Sequence, residues 1–209
     1  MPYDVKRDLR ACYAPKNTDW ALVDVPDQAF IAVDGAGDPN QVARYADAVT
    51  ALYAVAYTAK FAAKAAGHDF VVAPLEGLWW SDDLDAFTTD TRDAWRWRML
   101  ISMPAWVTAK DVEKARDTAL AKKKLPTIAE IRHLTLSEGR CAQALHHGPY
   151  TDEAPLLARL HDVWLAEQGL AMRGVHHEIY LSDPRRTAPE KLRTVLRQPV
   201  TDRVTAPSQ

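Results

Sequence analysis

The sequence predicts an α+β fold built from two similar halves, each a strand–helix–strand–strand module. Two helical stretches each precede a strand-like run that contains a glutamate, Leu75–Trp80 in the first half and His176–Leu181 in the second. Each half then closes with a strand that ends at a proline, Pro104 or Pro199. We therefore expect a duplicated fold with an acidic centre.

The first copy extends from Ala29 to Pro104. The apolar run Ala29–Val33 predicts a strand, and the glycine- and aspartate-rich segment Asp34–Asn40 predicts a turn. A helix is expected from Gln41 to Ala66, with Gly67 after its last turn. Its apolar side chains recur at helical spacing and form one stripe: Val42, Tyr45, Ala46, Val49, Leu52, Tyr53, Ala56 and Ala63.

Two further strands and a second helix complete this half. The pattern predicts strands at Phe70–Trp80 and Trp95–Met103, separated by an acidic loop at Asp82–Asp93. The second strand alternates cleanly, which is typical of a sheet with two different faces. Thr108 is the expected N-cap of a charged helix that continues to Lys124.

The second copy extends from Arg140 to Pro199. Ile128–Leu136 and Arg140–His147 are predicted to pair as a hairpin around Ser137-Glu138-Gly139. A helix that ends at Gly169 follows, then the glutamate strand and a closing strand at Leu192–Val200. The apolar residues of that helix are Leu156, Leu157, Leu160, Val163 and Trp164.

These boundaries divide the chain into one domain with two flanking segments. Prolines interrupt the polar N-terminal segment, which is expected to be a peripheral arm, and the C-terminal end is expected to be a disordered tail. The expected division is an arm at 1–26, a domain at 27–200 with modules at about 27–107 and 127–200, and a tail at 201–209.

The composition is that of an ordinary globular protein. The 209 residues are 47% hydrophobic and 26% charged, with a net charge of −2. The pI near 6.4 argues against a nucleic-acid partner, which favours a basic surface. The sequence has neither an apolar run long enough to span a bilayer nor an apolar signal segment. Cys12 and Cys141 lack metal-ligand spacing, so free thiols and a cytoplasmic location are expected.

Glu178 is the leading candidate for chemistry. It shares a strand face with His176 and Tyr180, because alternate residues of a strand point the same way. Desolvation by aromatic neighbours makes a carboxylate more basic, so Glu178 can serve as a general base or acid. The alternative is a structural ion pair with Arg or Lys of a neighbouring strand. Glu76 is a weaker candidate, because Gly77 makes a bulge plausible and a sheet-edge carboxylate is the simpler interpretation.

Tryptophans and tyrosines supply candidate ligand contacts. Tryptophan suits an apolar surface with one wet edge, so Trp80, Trp97 and Trp106 are candidates for a cleft, with core packing as the alternative. Tyr53 and Tyr57 lie one turn apart on the first helix. They can form a pocket wall or pack the helix against the sheet.

Metal and phosphate sites are not expected. The pairs His146-His147 and His176-His177 each supply at most one ligand to a site, because adjacent strand residues point to opposite faces. The sequence contains no HExxH motif, Cys/His cluster or glycine-rich phosphate loop. We therefore expect neither a metal nor a cofactor.

Four motifs carry a resemblance to a known family. They are Leu-Glu-Gly-Leu-Trp-Trp at 75–80, His-Gly-Pro-Tyr at 147–150, His-His-Glu-Ile-Tyr-Leu-Ser-Asp-Pro-Arg-Arg at 176–186, and Leu192–Val200. With them the chain resembles the GyrI-like small-molecule-binding superfamily over roughly Val25–Val200. Within it, the chain is similar to a stand-alone subfamily that includes cyclopropanoid cyclopropyl hydrolases.

The resemblance implies two modules related by a pseudo-twofold axis, with antiparallel sheets, helices on one face and a ligand groove between the modules. That groove would bind a flat aromatic or amphipathic small molecule, with Glu178 as its polar centre. The similar subfamily hydrolyses the strained cyclopropane of DNA-alkylating compounds of the yatakemycin type inside an aromatic cage. Glu178 would then orient or deprotonate water, and Tyr150, Tyr57 or a histidine would donate to the substrate carbonyl. The full set of expected ligand contacts is Trp80, Glu76, Tyr53, Tyr57, Trp97, Trp106, Tyr150, Tyr180 and His147.

Two other functions remain open at the level of sequence. One is binding without chemistry, for sequestering or sensing. The other is interaction with a topoisomerase, for which the acidic run Asp82–Asp85 and the basic run Lys122–Lys124 are candidate contacts. A nucleic-acid or membrane partner is not expected, and both monomer and dimer remain open.

Overall fold

The fold is given by a computed structural model that describes residues 1–81 and 92–203. In these residues nine strands join one antiparallel sheet, in the order β1-β6-β9-β8-β3-β4-β2-β5, with β7 also paired to β9. The strands are β1 Ala21–Val25, β2 Gln28–Ala36, β3 Leu75–Trp80, β4 Arg96–Met103, β5 Arg132–Leu136, β6 Gly139–His147, β7 Leu170–Met172, β8 His176–Tyr180 and β9 Arg193–Asp202. The α+β class with an antiparallel sheet is thus confirmed.

Two helical segments, residues 43–65 and 154–167, cover the same face of the sheet. The helices are α1 Val5–Asp8, α2 Arg10–Tyr13, α3 Ala43–Ala65, α4 Ala109–Lys123, α5 Ala154–Arg159 and α6 Leu165–Glu167, with a π-helical turn at Leu160–Trp164 joining the last two. Thr108 caps α4 in a reciprocal capping box with Asp111, as its sequence position predicts. Across the two described ranges, no helix combines the length and apolar character that crossing a bilayer requires.

The strands at the two ends of the order, β1 and β5, each continue along the chain into another strand of the sheet, β2 and β6. Val25 opposes Gly139 in one ladder and Gln28 opposes Leu136 in the other, so both ladders keep the same register. Strands β1–β2 and β5–β6 are therefore two long bent strands that pair along their length, and the sheet closes on itself. The hairpin predicted around Ser137-Glu138-Gly139 is wrong, because β5 and β6 do not pair with each other. Strand β5 pairs with β2 and β6 pairs with β1, so the chain bends at these residues and does not reverse direction. The bend turns Glu138 into the buried interior.

The register between β3 and β8 locates the pseudo-twofold axis. Gly77 opposes Glu178 there, and a twofold axis normal to the sheet must keep each residue on its own face. From Gly77 the strand pairing continues through β4 to β2, and from Glu178 it continues through β9 to β6. Equivalent positions just beyond β2 and β6 are Gly37 and Gly148, and both have positive φ. The equivalent of Glu178 is consequently Gly77. Glu76, which the sequence suggested as its echo, faces the opposite side of the sheet.

Each module packs its helix on its own strands, and α3 lies on β2 and β4. Helix α3 buries Ala48, Leu52, Val55 and Ala59 in the main core cluster. The helical segment that starts at Ala154 contributes Leu160, Trp164 and Leu165 to a second cluster with Ala144 and Leu196.

The N-terminal segment is an integral part of this core and not a peripheral arm. Tyr13 is fully buried and Trp20 is 5% exposed. The indole nitrogen of Trp20 donates to the Leu156 carbonyl at 2.8 Å, and strand β1 pairs with β6. The loop predicted at Asp82–Asp93, with its Asp82–Asp85 run, lies largely outside the described residues, as does most of the predicted tail.

Beneath the sheet, a buried polar network joins both modules to this segment. The two ring nitrogens of His177 lie 3.0 Å from Glu76 Oε2 and 2.9 Å from Glu138 Oε1. Tyr13 donates to Glu76 at 2.9 Å, and Arg197 donates to Glu138 at 2.9 Å. Since each imidazole nitrogen faces a carboxylate oxygen, both carry protons, and the network balances two cations against two carboxylates.

Candidate functional site

The candidate site, called the groove below, lies over the axis, where Tyr45 of α3 and Tyr150 before α5 both approach Glu178. Its floor is the Gly77–Glu178 pair. A side chain at Gly77 would meet Trp79 Nε1 at 2.7 Å and the Tyr180 hydroxyl at 3.1 Å, so only glycine fits there. The Glu178 side chain keeps 16% of its surface exposed. A largely buried carboxylate that keeps some contact with solvent thus lies at the centre of the fold.

Aromatic rings surround this carboxylate. The Trp79 indole donates to the Tyr180 hydroxyl at 3.0 Å, which links two residues that are equivalent under the pseudo-twofold. Tyr45 of α3 stacks on Trp79 with ring centroids 6.4 Å apart. From the other module, Tyr150 packs edge-on against Tyr180 at 5.6 Å. Rings from both modules therefore form the two walls of the groove.

The hydroxyls of these rings are held in their neutral form. Burial, and then the charge of Glu178, raise the pKa of both Tyr45 and Tyr180 well above the ordinary value. Burial, with Glu153 and Glu178, raises the pKa of Tyr150 to about 12. Neutral phenols can donate hydrogen bonds to a ligand oxygen at physiological pH.

Three polar atoms in the second module are buried without a hydrogen-bond partner: His176 Nε2, Thr194 Oγ1 and Glu153 Oε1. His176 Nε2 approaches Glu178 Oε1 at 3.5 Å, an electrostatic contact at the limit of hydrogen-bond length. Buried polar atoms are rarely left unsatisfied, and exceptions often mark functional sites. Their clustering near Glu178 indicates a place where a ligand or water is expected to bind.

Glu153 is a second acidic group of the groove, and sequence reasoning missed it. It is 5% exposed. Burial, and then the nearby charge of Glu178, raise its pKa to about 9, so it holds a proton at neutral pH. One sequence signal could have found it. Glu153 lies four residues after the Gly148-Pro149 turn, at the start of a helix whose folding does not require a buried carboxyl.

Four of the residues expected at the ligand are tyrosines, and two of them lie beside Glu178. Tyr150 and Tyr180 form one wall beside Glu178. Tyr53 packs against the core, with its ring 6.3 Å from that of Tyr57. Tyr57 is 47% exposed and extends this aromatic row outward along α3.

Three other expected residues lie on the opposite face of the sheet. Glu76 is fully buried in the polar network with His177. The Trp80 ring packs in the cluster of Leu78 and Leu100 and beneath the Arg98 guanidinium. His147 is exposed at the end of β6, where it alternates to the face opposite His146.

The last two expected residues are tryptophans with structural surroundings. Trp97 shares the groove face but is 0% exposed, with its edge against Tyr45 and its indole nitrogen donating to the Gly37 carbonyl at 3.2 Å. Trp106 packs against His68 and Phe70, with ring centroids 5.7 Å away in each case. Neither ring contacts the floor of the groove.

A separate cleft of about 710 Å³ lies at the far end of β4 and does not include Glu178. Among the expected ligand contacts, only Trp80 lines this cleft in the described residues. Within 1–81 and 92–203, no cluster of three His, Cys, Asp or Glu side chains could hold a metal ion.

This combination of a central groove, aromatic walls and an acidic floor defines a small-molecule-binding protein. The family profile of the GyrI-like small molecule binding domain matches residues 19–201. The chain therefore belongs to the GyrI-like family, and its family domain includes β1.

Solved structures agree with this assignment. An uncharacterized conserved protein from Listeria innocua is 38% identical, with a TM-score of 0.87 over 95% of this chain and 100% of that chain. A protein described as a hydrolase from the same organism is also 38% identical, with a TM-score of 0.84 over 96% and 100%. The EcmrR C-terminal domain, at 10% identity and a TM-score of 0.56 over 88% and 98%, shares the fold. No curated protein sequence matches the chain.

Proposed function

We propose that the groove binds flat aromatic or amphipathic molecules and hydrolyses an activated cyclopropane in DNA-alkylating compounds. The observation that carries this proposal is Glu178, a partly exposed carboxylate opposite a glycine between two aromatic walls. The 38% identical relative described as a hydrolase supports a catalytic groove. Such an activity would detoxify an alkylating xenobiotic.

The reaction needs little from the protein, because ring strain drives it. A flat polycycle would enter between Tyr45 and Trp79 on one side and Tyr150 and Tyr180 on the other. Glu178 takes a proton from water while the water oxygen attacks the ring methylene. The methylene–ring carbon bond breaks, and its electron pair passes into the conjugated carbonyl, which becomes a phenolate oxygen. Protonation of that oxygen completes the addition of one water molecule.

The neutral phenols around Glu178 support the second half of this step. A hydroxyl aimed at an oxygen that gains negative charge stabilises the transition state more than the ground state. Tyr150 is the best placed of these donors, because it is 40% exposed and its ring contacts Tyr180 beside Glu178.

A mixing experiment tests the proposal. The protein is incubated with a cyclopropane-bearing alkylator, and mass spectrometry follows a product heavier by one water over several turnovers. Glu178→Gln is expected to bind the compound, by quenching of tryptophan fluorescence, but to lower the rate about 100-fold or more. Glu190→Gln, an exposed carboxylate of the same module, is the matched control and is expected to keep the wild-type rate.

Each outcome has a distinct meaning. Multiple turnovers that require Glu178 support hydrolysis. Stoichiometric binding without product, in wild type as in Glu178→Gln, contradicts hydrolysis and supports sequestering or sensing. A wild-type rate in Glu178→Gln contradicts the role of this carboxylate as base.

A further inference from the structure

We propose that Glu153 is the proton donor of the groove and delivers its proton to the ligand oxygen while Glu178 acts on water. This inference rests on the proposed function and assigns its second half to a particular residue. Its support comes from the position of Glu153, from a buried carboxyl oxygen that has no hydrogen-bond partner, and from the asymmetry between the two modules.

The position follows from contacts of neighbouring residues. Glu153 directly follows the short 3₁₀ turn Tyr150–Asp152, whose tyrosine packs on Tyr180. Thr194, whose buried hydroxyl is unsatisfied like Glu153 Oε1, opposes Tyr180 in the β8–β9 register. Tyr180 and Glu178 share one face of β8. Glu153 is therefore held at the wall of the groove next to the strand that carries the proposed base.

One oxygen of its side chain, Oε1, is buried and has no hydrogen-bond partner in the described part of the chain. Glu153 occupies the N-cap position of α5, where an acidic residue usually accepts backbone N–H bonds, yet its side chain caps nothing. Only its backbone participates, accepting from Leu156 and Leu157 at 3.0 Å each. A buried carboxyl oxygen without a hydrogen bond costs stability, so its presence indicates a use other than folding.

The pseudo-twofold strengthens this argument. Gly37 and Gly148 are equivalent, and α3 and α5 begin the same number of residues after them. Val42 is therefore the counterpart of Glu153, just as Gly77 is the counterpart of Glu178. Both acidic groups belong to the second module, and the first module has apolar residues at both positions. A ligand with one reactive polar end would bind with that end towards the second module.

The carboxyl of Glu153 is in the state that a proton donor needs. Burial and the charge of Glu178 keep Glu153 protonated, with a pKa of about 9. An ionised base beside a neutral acid is the arrangement of many hydrolytic sites. In the balanced step, Glu178 gains a proton from water, the phenolate oxygen gains one from Glu153, and transfer through bulk water restores both groups.

The test compares wild type, Glu153→Gln and the control Glu167→Gln, an exposed residue of α6. We expect Glu153→Gln to lower the single-turnover rate about 100-fold while the ligand Kd changes less than threefold. The wild-type rate should fall above about pH 9, where Glu153 ionises, and that fall should be absent in the variant. Infrared difference spectra at pH 7 should show a neutral carboxyl band in wild type that Glu153→Gln removes.

The outcomes separate this proposal from the one on which it rests. An active wild type with an equally active Glu153→Gln overturns the donor role and leaves hydrolysis intact. An infrared spectrum without the neutral carboxyl band overturns it as well. If wild type binds the compound but never turns it over, the proposed hydrolysis fails, and the donor role fails with it. Intact ligand binding and thermal unfolding show in each case that the variant is folded.

Discussion

Glu153 makes the stability of this protein depend on pH in a direction that can be measured without any ligand. In the folded chain its pKa is about 9, whereas the ordinary value is 4.5. Between these two values the folded state keeps the proton and the unfolded state has lost it. Because the unfolded state then binds fewer protons, the free energy of unfolding falls as pH rises. Replacement of Glu153 by glutamine removes this dependence.

The size of the effect follows from proton linkage. One proton of difference changes the free energy of unfolding by about 1.4 kcal/mol per pH unit. The stability that the buried proton of Glu153 provides is complete below the pKa of the unfolded chain. It is lost progressively as pH rises to the pKa of the folded chain. Between pH 5 and pH 7 the wild type should therefore lose about 3 kcal/mol relative to Glu153→Gln.

Urea denaturation at pH 5, 6, 7 and 8 measures this difference. All other titrating groups are common to the two proteins, so they cancel in the subtraction unless they couple to Glu153. Glu167→Gln, exposed on α6, should give curves that follow the wild type at every pH. A constant difference between wild type and Glu153→Gln across this range would refute the assignment of a buried neutral carboxyl.

Two further substitutions test the floor of the groove and the network beneath it. Gly77→Val should destabilise the protein by about 1–3 kcal/mol and weaken ligand binding, because its side chain would displace Trp79 and Tyr180; unchanged urea and fluorescence titrations would contradict this. His177→Ala should cost about 3–5 kcal/mol by leaving two carboxylates buried together. Although burial lowers it, Glu138 and Glu76 raise the pKa of His177 to about 9. The stability that this histidine provides is therefore complete below its ordinary pKa of 6.5 and is lost as pH rises towards 9. A His177→Ala protein as stable as wild type at pH 6 would contradict this prediction.

Much of the local structure could be predicted from periodicity. The first helix was expected at Gln41–Ala66 and is observed at Ala43–Ala65. The strand expected at Phe70–Trp80 begins at Leu75, because Pro74 lacks an N–H to pair and Phe70 makes only an isolated bridge with Tyr3. Side-chain spacing reports which residues share a helix stripe or a strand face, and both depend only on neighbours along the chain.

By itself, therefore, the sequence determined the α+β class, the two modules, and the shared face of Glu178 and Tyr180. Only the tertiary structure decided that Gly77 and not Glu76 opposes Glu178, since the register between β3 and β8 depends on a pairing across 101 positions of sequence. The closed sheet and the approach of Glu153 to the groove have the same origin. Pairing between distant segments is selected by the packing of the whole core, and no local pattern of residues records it.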